Sequence, residues 1–229
     1  GDFSSGKYQL DFVSDTVKSQ VEATFRACSV MDIQQSLSRN DETGRLEHLC
    51  PKLYENLIAL LLTSTSGVHW KKREARLTCS EGRERTPESR GWADFTLKLL
   101  KDVKYGPVPT FDEMKLMVLY VSTNPNFPFV EFMYKTKAKE LVVFQVTRQK
   151  GKSKSFKWSA VNKFLKKIFP HEDDGMLDRV TLVHIPLPSN ADEAVMQAEG
   201  SANELCPRWG TLSKYEVWKV PATYKDRFE

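Results

Sequence analysis

Leu141-Val142-Val143-Phe144-Gln145-Val146-Thr147 is the most strand-like segment of this 229-residue chain. Its unbroken apolar start suits a central strand covered on both faces, where parallel neighbours and flanking helices exclude water. Two polar residues then interrupt the pattern. Gln145 and Thr147 stand at i and i+2, and the period of two in a strand points them to the same face. Working upstream, Met117-Val118-Leu119-Tyr120-Val121 is a β-rich run, followed by the turn-forming Ser122-Thr123-Asn124-Pro125-Asn126 and a strand candidate from Phe127 to Tyr134. Three strands in a row therefore precede a helix, Ser159 to Phe169, whose Val161, Phe164, Leu165 and Ile168 fall on one face. Two more strands are expected at Val180–Ile185 and Tyr215–Val220.

The N-terminal part reads differently. Phe12, Val13, Val17, Val21 and Phe25 recur as a buried helical stripe. A short helix is expected over Met31–Leu37. A stronger one begins near Pro51, a residue tolerated in a first helical turn, and ends near Gly67. Glu55 is the odd residue in that helix, an acid among apolar neighbours. Val68-His69-Trp70 starts a strand, the charged stretch to Arg90 reads as a loop or hairpin tip, and Trp92–Val103 reads as a helix. The economical organisation is an N-terminal helical lobe with an inserted charged loop over residues 1–110, packed on an α/β core over 111–229 as one continuous domain. The chain opens Gly1-Asp2-Phe3 without an initiator Met, which suggests a fragment of a longer protein.

Composition excludes several classes. With 40% hydrophobic and 28% charged residues, the chain is neither disordered, collagenous nor a disulfide-stapled miniprotein. The net charge of +4 is too mild to declare nucleic-acid binding by itself, so such a claim rests on how charge is distributed. Cys28, Cys50, Cys79 and Cys206 lack the close spacing of a zinc or redox pair and read as reduced thiols of an intracellular protein. The longest apolar run, Leu57–Leu62, is six residues, far short of the ~20 that span a bilayer. No Walker loop, Gly-x-Ser-x-Gly elbow or His-Glu-x-x-His helix occurs. His48, His69, His171 and His184 stand singly and read as surface or packing residues.

Two constellations remain. Glu131, among Phe129, Val130, Phe132 and Met133, would lie on the strand next to Gln145 and Thr147, with Lys150 three residues beyond. An acid beside a polar pair on a sheet supplies hard oxygen ligands suited to magnesium or manganese, which activate water against a phosphodiester. The plain alternative is a carboxylate at a wet strand edge and a glutamine that satisfies a loop. The second constellation is charge. From Arg148 to Lys167 the chain holds eight basic residues (Arg148, Lys150, Lys152, Lys154, Lys157, Lys163, Lys166, Lys167) and no acid, with Phe156 and Trp158 interleaved. Basic side chains with aromatic neighbours suit a phosphate backbone and exposed bases; the plain alternative is a solvated loop and helix face.

At these residues the chain resembles a known group. Leu119-Tyr120-Val121, Asn126-Phe127-Pro128-Phe129-Val130-Glu131 and Leu141 to Thr147 are similar to the C-terminal region of the retrotransposon hot spot proteins of trypanosomatids, and to the C-terminal domains of Crinkler effectors. Both belong among restriction-endonuclease-like folds of the PD-(D/E)xK class. The resemblance covers Leu119 to about Phe169. It implies a mixed central sheet flanked by helices and a site made by a helix acid (Glu55, with Glu47 as the alternative), a strand acid at Glu131 and the Gln145-x-Thr147 strand. The departures are a glutamate for the usual aspartate, Gln145 for the second acid and Thr147 for the lysine, with Lys150 as a substitute ammonium. The expectation is a DNA- or RNA-binding domain with weak or absent cleavage, a degenerate magnesium or manganese site at Glu131 and Gln145, no nucleotide cofactor, and a nuclear role alongside other nuclear proteins. The competing reading is a protein-interaction module on the same scaffold, for which Trp70, Trp209 and Trp218 would form an exposed apolar patch.

Overall fold

The structure, a computed structural model, describes residues 50–63, 69–74, 78–79, 91–97, 100–122, 130–147, 153–170, 177–187, 191–192, 194–199 and 214–220. The helices expected between Tyr8 and Leu37, the tip Ser80–Pro87 and the turn at 123–129 lie outside them. In chain order the elements are α1 (Cys50–Thr63), β1 (His69–Glu74), β2 (Thr78–Cys79), β3 (Ala93–Thr96), β4 (Asp102–Gly106), β5 (Val118–Ser122), β6 (Phe132–Lys137), β7 (Glu140–Thr147), β8 (Ser153–Lys157), α2 (Trp158–Ile168), β9 (Arg179–Pro186), β10 (Val195–Glu199) and β11 (Lys214–Lys219).

β7 sits in the middle of an eight-stranded mixed sheet ordered β3-β1-β11-β9-β7-β6-β5-β4. It pairs antiparallel with β6 through a tight turn and parallel with β9. A parallel neighbour requires a crossover, and here β8 and α2 supply it. β11 continues the parallel run beside β9, then β1 and β3 add antiparallel strands. β2, β10 and β8 make a separate small parallel sheet. Strands from both sides of residue 110 thus share the large sheet.

The apolar run of β7 is buried on both faces, as the sequence implies. Val142, Phe144 and Val146 pack with Tyr54, Leu57, Ile58, Leu61 and Leu62 of α1, a stripe at the 3.6-residue helical period. Leu141 and Val143 pack with Val161, Phe164, Leu165 and Ile168 of α2 on the other face. Burying one such side chain contributes about 1.5–3 kcal/mol, so two helices and a doubly covered strand fix the core.

Three expectations change. Trp92–Val103 is not a helix: Ala93–Thr96 pairs with β1 and Asp102–Gly106 pairs with β5. Trp92 packs on the α2 side while Phe95, Leu97 and Leu100 pack on the α1 side, a split that one helix face cannot make. β8 intervenes between β7 and α2, so Lys154 belongs to a strand rather than a loop. Glu131 lies in a bend immediately before β6, not within a strand.

β3 and β4 occupy opposite edges of the sheet yet are joined by residues 97–101. Six residue steps from Thr96 to Asp102 reach at most ~21 Å, whereas the edges of a flat eight-stranded sheet would stand ~33 Å apart. The sheet is therefore curled, and the connection crosses its α1 face. At Met117, just before β5, the backbone is left-handed (φ 62°). It is held there because its N–H donates to Lys135 O at 2.9 Å and its carbonyl accepts from Lys101 N–H at 2.7 Å.

Candidate functional site

The β6–β7 ladder brings Glu131 to Gln145. Phe132 pairs with Phe144, and one residue earlier the Glu131 N–H donates to Phe144 O at 3.0 Å. The Glu131 side chain extends the ladder: its Oε2 accepts the Val146 N–H at 3.0 Å. A carboxylate receiving a backbone N–H is a charge-assisted bond, and it fixes this acid beside the residue that follows Gln145. Gln145 and Thr147 share the α2 face, both buried, as their spacing requires.

Across the β7–β9 ladder Gln145 lies opposite His184, and Thr147 opposite Pro186. His184 is only 3% exposed. Like Gln145 it interrupts an apolar strand, a signal in the sequence that its reading as a surface or packing residue does not use. The row runs on: His184 pairs with Val217 of β11, and Val217 with Arg73 of β1. Buried Arg73 donates through Nη2 to the carbonyls of Ala191, Asp192 and Ala194, at 3.3, 3.4 and 2.7 Å. On this same face Gln145 Oε1, Arg73 Nε and the Tyr215 hydroxyl are buried without a hydrogen-bond partner. Burial pushes the Tyr215 phenol far above its usual range. Buried polar groups are nearly always satisfied, so these atoms set this face apart from an all-apolar core.

Glu55 stands on α1. α1 covers the opposite side of the sheet, and the Tyr54 hydroxyl donates to Pro186 O at 2.8 Å. Half-buried Glu55 thus starts at the Thr147 end of the sheet, but from the far side. Among the described residues no three His, Cys, Asp or Glu side chains gather as a metal site. The oxygens that could serve a cation are the Glu131 carboxylate and the unpartnered Gln145 Oε1; the Thr147 hydroxyl adds no charge.

The basic segment divides. Lys157, at the end of β8, and Lys163, Lys166 and Lys167 of α2 are exposed, and α2 contains no acid. Lys166 and Lys167 also lie in the last turn, where a cation stabilises the helix dipole. Lys154 belongs to β8 and Trp158 opens α2, while Arg148, Lys150 and Lys152 lie outside the described residues. Trp70 and Trp218 are core residues at 0% and 4% exposure, so they form no surface patch; Trp209 lies outside the described residues. No described helix is long and apolar enough to cross a membrane.

Comparison with protein-family models, with curated proteins and with solved structures finds no match to this chain.

Proposed function

We propose that this chain is a nucleic-acid-binding domain on a restriction-endonuclease-like scaffold with a degenerate metal site. The observation that carries the reading is the meeting of Glu131 with the Gln145-x-Thr147 strand, through the Glu131 bond to Val146 N–H. The order helix, strand acid, Gln-x-Thr strand, helix (α1, the Glu131 bend with β6, β7, α2) agrees with it, as does the resemblance to the hot spot and Crinkler C-terminal domains. Glu131 and Gln145 would hold a magnesium or manganese ion, which supplies Lewis-acid activation of water. One carboxylate already accepting a backbone N–H, beside a neutral amide, holds such an ion weakly. Cleavage is accordingly weak or absent, and binding is the function. Phosphates are met by the basic run that leaves β7, including Lys157, Lys163, Lys166 and Lys167, in a nuclear setting of transcription or RNA handling.

The test is a titration with labelled single- and double-stranded DNA and RNA, with and without manganese, scored for binding and cleavage in the same tubes. Binding should weaken with salt, and each phosphate contact removed should reduce the log-affinity versus log-salt slope by roughly 0.7–0.9. Replacing Lys150, Lys152 and Lys154 together by Ala, or Lys163, Lys166 and Lys167 together, should lower that slope. Unchanged affinity and slope in both triple variants would remove the basis of the reading.

A further inference from the structure

On the α1 face the curl of the sheet leaves an open cleft of about 450 Å³, within the ~300–1,000 Å³ typical of small-molecule sites. One wall is the strap that leaves β3, with half-exposed Phe95 and Leu97, and the left-handed Met117 backbone flanks it. The floor carries Tyr134 of β6 and Trp218 of β11. Trp218 is fixed: its Nε1–H donates to Glu216 Oε2 at 2.7 Å, and its ring meets Phe95 edge-on at 4.7 Å.

The charges in the cleft are not equivalent. Glu216 is 3% exposed and receives Lys72 Nζ at 3.4 Å. That ammonium also stands 4.9 Å from the Phe95 ring centre. Glu140 accepts from the Thr136 hydroxyl at 3.0 Å and pairs with Lys137 at 3.4 Å. Each carboxylate is therefore already matched. Arg179 is different. It is exposed on the cleft lining; it lies opposite Glu140 in the β7–β9 register and helps hold that carboxyl below its ordinary value, but among the described residues no carboxylate stands within ion-pair distance of its guanidinium. The cleft thus offers aromatic and apolar walls and an exposed guanidinium that no described carboxylate contacts directly, suited to a phosphate.

We propose that this cleft is a nucleotide site, binding a heteroaromatic base against Phe95 and the edges of Trp218 and Tyr134, with its phosphate on Arg179. The site lies on the other face of the sheet from Gln145 and does not depend on the function proposed above. A free mononucleotide and the phosphorylated end of a strand present the same chemistry, and the experiment separates them.

The full chain is titrated calorimetrically with the common nucleoside monophosphates, the matching nucleosides, inorganic phosphate and a 5′-phosphorylated oligonucleotide, with the Trp218 indole N–H followed by NMR. The expected result is binding of at least one monophosphate with a shift of the Trp218 resonance. Arg179→Ala, at an exposed position, should weaken that binding roughly tenfold, the loss of about 1.4 kcal/mol, and leave nucleoside binding unchanged. Phe95→Leu should weaken both. Competition by the oligonucleotide, lost in Arg179→Ala, assigns the strand end; its absence assigns the free nucleotide. The Lys163, Lys166 and Lys167 triple variant should bind the mononucleotide as the parent does, even where it loses nucleic acid. No binding by any monophosphate, or binding that neither Arg179→Ala nor Phe95→Leu alters, overturns the proposal.

Discussion

The two faces of the central sheet use the same strands for different ends. On the α1 side the rings of Trp70, Phe95, Tyr134, Phe144 and Trp218 lock together, Phe144 meeting Trp218 at 5.3 Å and Tyr134 at 5.7 Å. Among the described residues, the buried unpartnered polar atoms of that side are two donors on different elements, Asn56 Nδ2 and Trp70 Nε1. On the α2 side Arg73, His184 and Gln145 lie in one row across four consecutive strands, with unsatisfied atoms at both its ends. Neighbours in β7 therefore face opposite demands, Phe144 packing and Gln145 not. The β7 positions on the α1 face should weigh more on stability than Gln145 does.

The largest effect should come from Phe144→Ala, which removes a fully buried ring from the α1 face and should cost about 3–5 kcal/mol in denaturant unfolding. A loss under ~1 kcal/mol would mean that the ring cluster does not hold the sheet. Arg73→Leu should come second. It strips a charged donor from three carbonyls, and a loss of about 2–3 kcal/mol is expected, since buried acceptors are left unmade. Gln145→Met is the sharpest contrast with Phe144. Because Oε1 has no partner to lose, stability should stay within about 1 kcal/mol of the parent or rise, while any manganese dependence of binding or cleavage should disappear. A drop as large as that of Phe144→Ala would erase the distinction between the faces.

The smallest effect is a pH dependence. Lys219 donates to both Asp192 oxygens, at 3.0 and 2.9 Å, and holds that carboxyl below its ordinary value. A lowered folded value means the contribution is full above the ordinary Asp pKa and fades as pH falls through the lowered one. Melting temperatures of the parent and Asp192→Asn should therefore differ near neutrality and converge as pH falls below the ordinary Asp value of about 4. The gap should be small, because Asp192 is 60% exposed.

Most of the central architecture was legible because it is written in dense apolar runs: α1, β5, β7, α2, β9 and β11 all carry continuous or periodic hydrophobic residues. The strands that escaped are short or polar. β3 and β4 hold Asp94, Asp102 and Lys104, and their apolar residues serve two clusters through an edge connection that no local pattern encodes. The shared face of Gln145 and Thr147 followed from the strand period. The pairing of Gln145 with His184 did not, because a parallel register is set by the crossover through α2 rather than by neighbouring residues. Which face of the sheet the Glu55 helix covers is likewise a tertiary choice that no local pattern encodes.

The pairing of β1 with β11 has a consequence in time. Lys71 through Glu74 find their inward partners only at Lys219 through Glu216, near the end of the described chain. At a synthesis rate of ~5–20 residues per second, the β1 edge waits roughly 7–30 s for its neighbour to emerge. Through that interval the nascent polypeptide carries a β1 edge whose partner strand has not yet been made. Any release of the chain short of Val220 leaves that edge without its mate.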